Sequence, residues 1–250
     1  MNQDSNLYSV TTAAYPELPP CPDIKKYTDE KGTTDWDAYD AAVEQWEARQ
    51  DNLDKECQDI GLNPALNAFI RSTLKEYLKN ESGENQIYSP ANLYITLSLL
   101  AEITGGDSQK QILSLLGQKD TKTLCNYGKA LWKSSYQDDG TAKTVLANSV
   151  WMNEDMKYQI SLLNMLSDNY YASVFQGPMG ERAYDQALKE WIDSNTSGFL
   201  NKQTQGLSWD SNTYLSLIST IYFKDNWENS FDSKENSEGV FHRKEDDVNC

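Results

Sequence analysis

One histidine, His242, is all that 250 residues provide. A Ser-His-Asp relay needs an imidazole base beside its nucleophile, and no G-x-S-x-G elbow precedes His242. A lone histidine also rules out the H-E-x-x-H pair of a catalytic metal site. The four cysteines, Cys21, Cys57, Cys125 and Cys250, stand far apart and form no C-x-x-C. That spacing argues against a zinc site and a dense disulfide framework, so free thiols are expected. The P-loop, the G-x-G-x-x-G turn and the EF-hand loop are missing too, so neither metal nor cofactor is expected. No run of about 18 apolar residues exists to cross a membrane as a helix. Residues Met1–Val10 have no basic n-region and no apolar h-region, so no signal peptide is expected there. Basic residues are scarce, 22 against 38 acidic ones, for a net charge of −16. A field of that sign repels phosphate backbones and anionic membrane surfaces, which excludes nucleic acid and membrane as expected partners. So many acidic residues allow carboxylate pairs of the glycosidase kind, but nothing singles one out, and solvated acidic surface explains them. No enzymatic activity is expected.

What the chain does contain is material for a packed core. Hydrophobic residues make up 38% and include seven Trp, with fifteen Tyr besides, whose large rings favour burial. Residues 1–33 are rich in turn-formers, with Pro16, Pro19, Pro20 and Pro22 crowded around Cys21. They predict an extended segment lying on a surface, or a loose tail. Trp36, Tyr39, Val43 and Trp46 then recur at helical spacing, an aromatic stripe that predicts an amphipathic docking helix over 35–55. Asn63-Pro64 predicts a capped helix start, with Leu66, Phe69, Ile70, Leu74, Tyr77 and Leu78 on the buried face. Ser89-Pro90 repeats that logic. The helix it opens is apolar on most sides, hence central, and Gly105-Gly106 ends it. Asp107 is expected to cap the next helix, which Gly117 closes. Past a polar linker near 134–143, the β-branched run 144–152 predicts a strand. Helices follow over 158–171 and 181–197, the latter with Tyr184, Leu188, Trp191 and Ile192 on one face. The long strand 213–223 has apolar residues on both faces and is expected to be covered on both sides.

In this order, several of these segments resemble the serpin family. NQIYSPANLYITLSLLAEITGGDSQKQIL (85–113) is similar to the family's buried helix B and its continuation. VLANSVWM (145–152) is similar to the second strand of sheet A, and AYDQALKEWIDSNTSGFL (183–200) to the helix lying across that sheet. TYLSLISTIYFKDNWENSFD (213–232) resembles the family's Y-F-K-x-x-W-x-x-x-F block, here Tyr222, Phe223, Lys224, Trp227 and Phe231. GVFH (239–242) falls where the family has a Phe-His. The resemblance covers about 61–250. Residues 1–60 stand outside the shared fold and resemble N-terminal extensions of some bacterial members.

The resemblance implies an α+β serpin fold in its N-terminal portion only, the helix A–F region with the first strands of sheet A. It implies a suicide-substrate inhibitor of a serine or cysteine protease: the target cleaves an exposed reactive loop, which then inserts into sheet A. By the same resemblance Ser89, Asn92 and Ser219 belong to the "shutter" beneath the parting strands, and Trp227 to the "breach" where insertion begins. It also implies an extracellular or cell-surface protein, monomeric when full-length. The alternative within the family is a non-inhibitory binding, transport or chaperone protein. Two departures stand out. Many members carry asparagine where this chain has Ser219, and the family's reactive loop and C-terminal strands lie beyond Cys250, so the chain is expected to be truncated and inactive alone.

Overall fold

The computed structural model describes residues 7–18, 20–79, 87–227, 234, 237–242 and 247–249. A short strand, β1 (Ser9–Thr11), precedes a 3-10 turn at Ile24–Tyr27. The helices α1 (Trp36–Asp59), α2 (Leu62–Tyr77), α3 (Pro90–Ile103), α4 (Gly106–Leu115) and α5 (Thr121–Ser135) follow. After β2 (Gln137–Asp138) come β3 (Lys143–Asn153), α6 (Ile160–Tyr170), β4 (Ala172–Gly177), α7 (Arg182–Asn195) and β5 (Leu215–Lys224). A separate hairpin, β6 (Val240–His242) with β7 (Asp247–Asn249), completes the described chain. The expected α+β architecture is the one observed.

Local chemistry sets most helix boundaries. Asp35 caps α1 by accepting from Ala38 N at 3.1 Å, and Asp120 caps α5 by accepting from Thr123 N at 2.7 Å. Gly61, at φ 69°, breaks α1 from α2 and serves as the N-cap of α2. The start therefore falls two residues before Asn63-Pro64, which occupy the first turn of α2 instead of opening it. Similarly α4 begins at Gly106 with Gly105 as its cap. Asp107 sits within the first turn, paired to Lys110 at 3.0 Å, where the helix dipole favours its negative charge.

Among the elements that lack a clear signature in the sequence are α5, β4, and β2 inside the 134–143 linker. Gly128, in the middle of α5, blurs its helical pattern. The ring of Tyr170 fills the place where a Cβ at Gly128 would stand, so α6 can approach α5 only over a glycine.

The sheet runs β1-β4-β3, with β5 and β2 both pairing β3. β3 and β4 are parallel, whereas β3 and β5 are antiparallel, with Asn148 opposite Ser219. One face carries α7: Trp151 of β3 lies 5.3 Å from the Tyr184 ring and 6.5 Å from that of Trp191. Leu99, Val150, Met152, Leu163 and Leu166 pack together on the other face, under α3 and α6. Buried indoles find partners, as they must: Trp132 Nε1 donates to Leu146 O at 2.7 Å, and Trp151 Nε1 to Ser149 Oγ at 2.8 Å.

The expectation that 213–223 is covered on both sides needs correction. Thr220 is buried, but Ile221 is half-exposed and Phe223 is 69% exposed. Ile218 packs into the main core and Leu217 under α3, whereas the last residues run past both layers of helices. Among the described residues no strand pairs with the second edge of β5.

Candidate functional site

The candidate site lies where α3 crosses beneath β3 and β5. Ser89 Oγ accepts from Asn92 N at 3.4 Å and so caps α3, with Pro90 at the first helical position. That cap sets the first turn of α3, from which the Asn92 side chain reaches up to the sheet. Ser219, on the same face of β5 as Leu217 and Ile221, points down to meet it.

Three side chains meet there. Asn148 is wholly buried in β3, and its Nδ2 donates to Tyr170 O at 3.2 Å. Its Oδ1 therefore faces Ser219 and accepts the Ser219 hydroxyl at 2.7 Å. A second amide oxygen, Asn92 Oδ1, lies against the same Oγ, and the single hydroxyl proton of a serine is given to only one of the two at a time. Asn92, Ser219, Asn148 and the Tyr170 carbonyl thus tie together α3, β5, β3 and the end of α6.

Beside this relay runs a groove of about 410 Å³, lined in part by Tyr77, Tyr88, Ser89, Asn92, Ser219 and Ile221. Thr73 Oγ1 and Tyr88 OH lie 2.5 Å apart, joining α2 to the segment that leads into α3. Among the described residues no carboxylate, amine or imidazole lines the groove. The described residues are suited to holding strands together through neutral hydrogen bonds and include no acid–base pair to transfer a proton. Among the described residues no group of three or more His, Cys, Asp or Glu side chains could hold a metal ion.

The other residues singled out by sequence lie elsewhere. Trp227 stands three residues beyond β5, which at about 3.3 Å per residue puts it well over 20 Å of chain from Ser219. It is 75% exposed. His242 Nδ1 lies 2.8 Å from Asp247 Oδ1 across the β6/β7 hairpin, fully on the surface. Phe231 and Cys250 fall outside the described residues. Cys21, Cys57 and Cys125 are free thiols, and burial, helped by nearby carboxylates, pushes each above the ordinary thiol value. None is an activated nucleophile.

Asn148 is the member of this candidate site that the sequence pattern alone does not single out. A signal is there nonetheless: an amide in the middle of an apolar strand must find a buried partner, and it lies opposite Ser219 in register.

Comparison with known proteins adds independent information. Residues 64–249 match the family model described as Serpin (serine protease inhibitor). Serpin-ZX of Arabidopsis thaliana is 29% identical over 163 residues, covering 63% of this chain and 42% of its own length. Human neuroserpin is 24% identical over 154 residues, covering 59% of this chain and 37% of its own. Among solved structures, Arabidopsis AtSerpin1 in its native stressed conformation superposes with a TM-score of 0.61 at 25% identity, over 80% of this chain and 50% of that one. Emu ovalbumin gives a TM-score of 0.66 at 19% identity, over 76% and 53%. The chain thus spans less than half the length of the curated relatives it matches and about half of the solved structures.

Proposed function

This chain belongs to the serpin family, and from that premise we propose that the whole protein is a serpin-type protease inhibitor working by insertion of a cleaved loop beside β5. At family level a protease inhibitor, not a catalytic enzyme, is what the match supports. The observation that carries the finer reading is the relay through Ser219. It fastens β5 to β3 on one edge and to α3 below, while among the described residues the other edge of β5 has no partner. A strand added at that edge would meet a β5 held in place by its neighbours, so the sheet would part on one side only. In this role Asn92, Asn148 and Ser219 are the shutter, with Ser89 setting the helix turn that presents Asn92. Trp227 lies along the path of the chain leaving β5, at the end where insertion would begin. The target is a serine or cysteine protease.

The test is to incubate the whole protein with a panel of such proteases and measure their residual activity after dilution. Time-dependent loss that dilution does not reverse is expected for at least one of them. Full recovery across the panel would overturn the inhibitor reading and leave a binding or transport role within the family.

A further inference from the structure

The β3/β5 register places Asn148 opposite Ser219 but does not decide which end of its amide faces the hydroxyl. Turned end for end, the amide would offer Ser219 a donor, and the hydroxyl would give its proton to Asn92 Oδ1 instead. The Tyr170 carbonyl makes the choice. It accepts from Nδ2 at 3.2 Å, which leaves Oδ1 for the Ser219 hydroxyl at 2.7 Å. Whatever aims that carbonyl therefore aims the amide.

Tyr170 is the last residue of α6, where helix carbonyls have no partner within the helix. Tyr171 follows at φ 50°, left-handed backbone that a bulky aromatic seldom adopts, and its N–H donates to Leu166 O. The peptide unit between the two tyrosines thus has both polar groups engaged, its N–H into α6 and its C=O with Asn148. A ring pins it on either side. Tyr171 stacks on Trp132, with centroids 3.6 Å apart and planes inclined by 17°. The Tyr170 ring is wholly buried over Gly128 of α5, and its hydroxyl donates to Glu102 Oε1 at 2.8 Å.

Glu102 closes the circuit. It stands in the last turn of α3 and Asn92 in the first, about 15 Å apart along one helix at 1.5 Å per residue. Asn92 reaches Ser219 directly. Glu102 reaches the same hydroxyl by way of Tyr170 and Asn148. Among the described residues Glu102 forms no ion pair, so its half-buried carboxylate has the Tyr170 hydroxyl as its partner.

We propose that Glu102 and Tyr170 are positioning residues for the shutter: they fix the Tyr170–Tyr171 peptide so that Asn148 presents its oxygen, and not its NH2, to Ser219. The functional meaning of this role rests on the shutter reading of Ser219, whereas the positioning itself does not.

The test is a double-mutant cycle in chemical denaturation, which involves no protease and so keeps its outcome apart from the inhibitor reading. Tyr170→Phe removes the hydroxyl and keeps the ring. Were the hydroxyl merely part of the packing, its loss and Ser219→Ala would multiply in the unfolding constant. Positioning predicts that Ser219→Ala costs about fivefold less in the Tyr170→Phe background, because Asn148 is already free to turn. Glu102→Ala should show the same coupling to Ser219→Ala. Glu102→Gln, whose amide oxygen still accepts the hydroxyl, should show none. In an isotope-labelled sample, the side-chain amide resonances of Asn148 should move in Tyr170→Phe and Glu102→Ala and return in Glu102→Gln. Those of Gln176, bonded to Met156 O at 2.8 Å, should stay in place throughout. Multiplicative costs in the Tyr170→Phe cycle, or Asn148 resonances that respond to neither substitution, overturn the proposal. Should Tyr170→Phe not fold, the Glu102→Ala cycle decides on the same terms.

Discussion

At Ser219 one hydroxyl serves two amides, and that economy makes its replacement predictable. Ser219→Ala leaves Asn148 Oδ1 buried without a donor, a loss of about 1–3 kcal/mol in unfolding free energy. Ser219→Asn, the residue many family members carry there, offers both a donor and an acceptor and should cost less than alanine. Chemical denaturation of the three proteins gives the ranking, and an alanine variant as stable as the parent would contradict the relay. Glu102 supplies a pH test at the same scale. Burial raises its carboxyl above the ordinary carboxylate range, and the Tyr170 hydroxyl, donating at 2.8 Å, lowers it part of the way back. A raised folded value favours the protonated form, so this contribution is present below the unfolded value and lost as pH climbs from about 4 through the raised one. Glu102→Gln should flatten stability over that window, and Tyr170→Phe should steepen its loss. Stability measured from pH 4 to 7 for each variant checks the sign.

Among the elements, those with a cap and a clear stripe are legible in the sequence: α1, α3 and α7 fall within a few residues of where Trp36, Ser89-Pro90 and Tyr184 put them. α5 is not, because Gly128 sits where a helix former belongs, and the reason is tertiary. Only the position of the Tyr170 ring explains the glycine. Gly128→Ala would gain about 1 kcal/mol by helix propensity alone. Here overpacking against Tyr170 should outweigh that gain, for a net loss of about 1–3 kcal/mol. A thermal melt that rises on this substitution would contradict the packing described. β4 is hidden for another reason: six residues are too few for a period to emerge after α6, and its partners, β1 and β3, are remote in sequence. The candidate site is legible by halves. Ser89, Asn92 and Ser219 follow from the resemblance, whereas Asn148 needs the β3/β5 register, which a single strand does not reveal.

For the molecule as a whole, the far end of β5 is the exposed feature. Ile221, Phe223 and Trp227 present apolar surface along the last residues of the strand and its exit. The 250-residue chain expressed by itself should therefore bind a hydrophobic dye or self-associate. A monodisperse, dye-silent chain would mean that β5 is covered in a way this structure does not have. The central claim concerns the whole protein, and one measurement addresses it most directly: denaturing electrophoresis after mixing it with the protease it inactivates best. The expected result is a covalent complex that survives denaturant, at close to one inhibitor per enzyme, and none when the 250-residue chain is mixed alone. Cleavage of the whole protein with no such complex, against every protease tried, would contradict the claim.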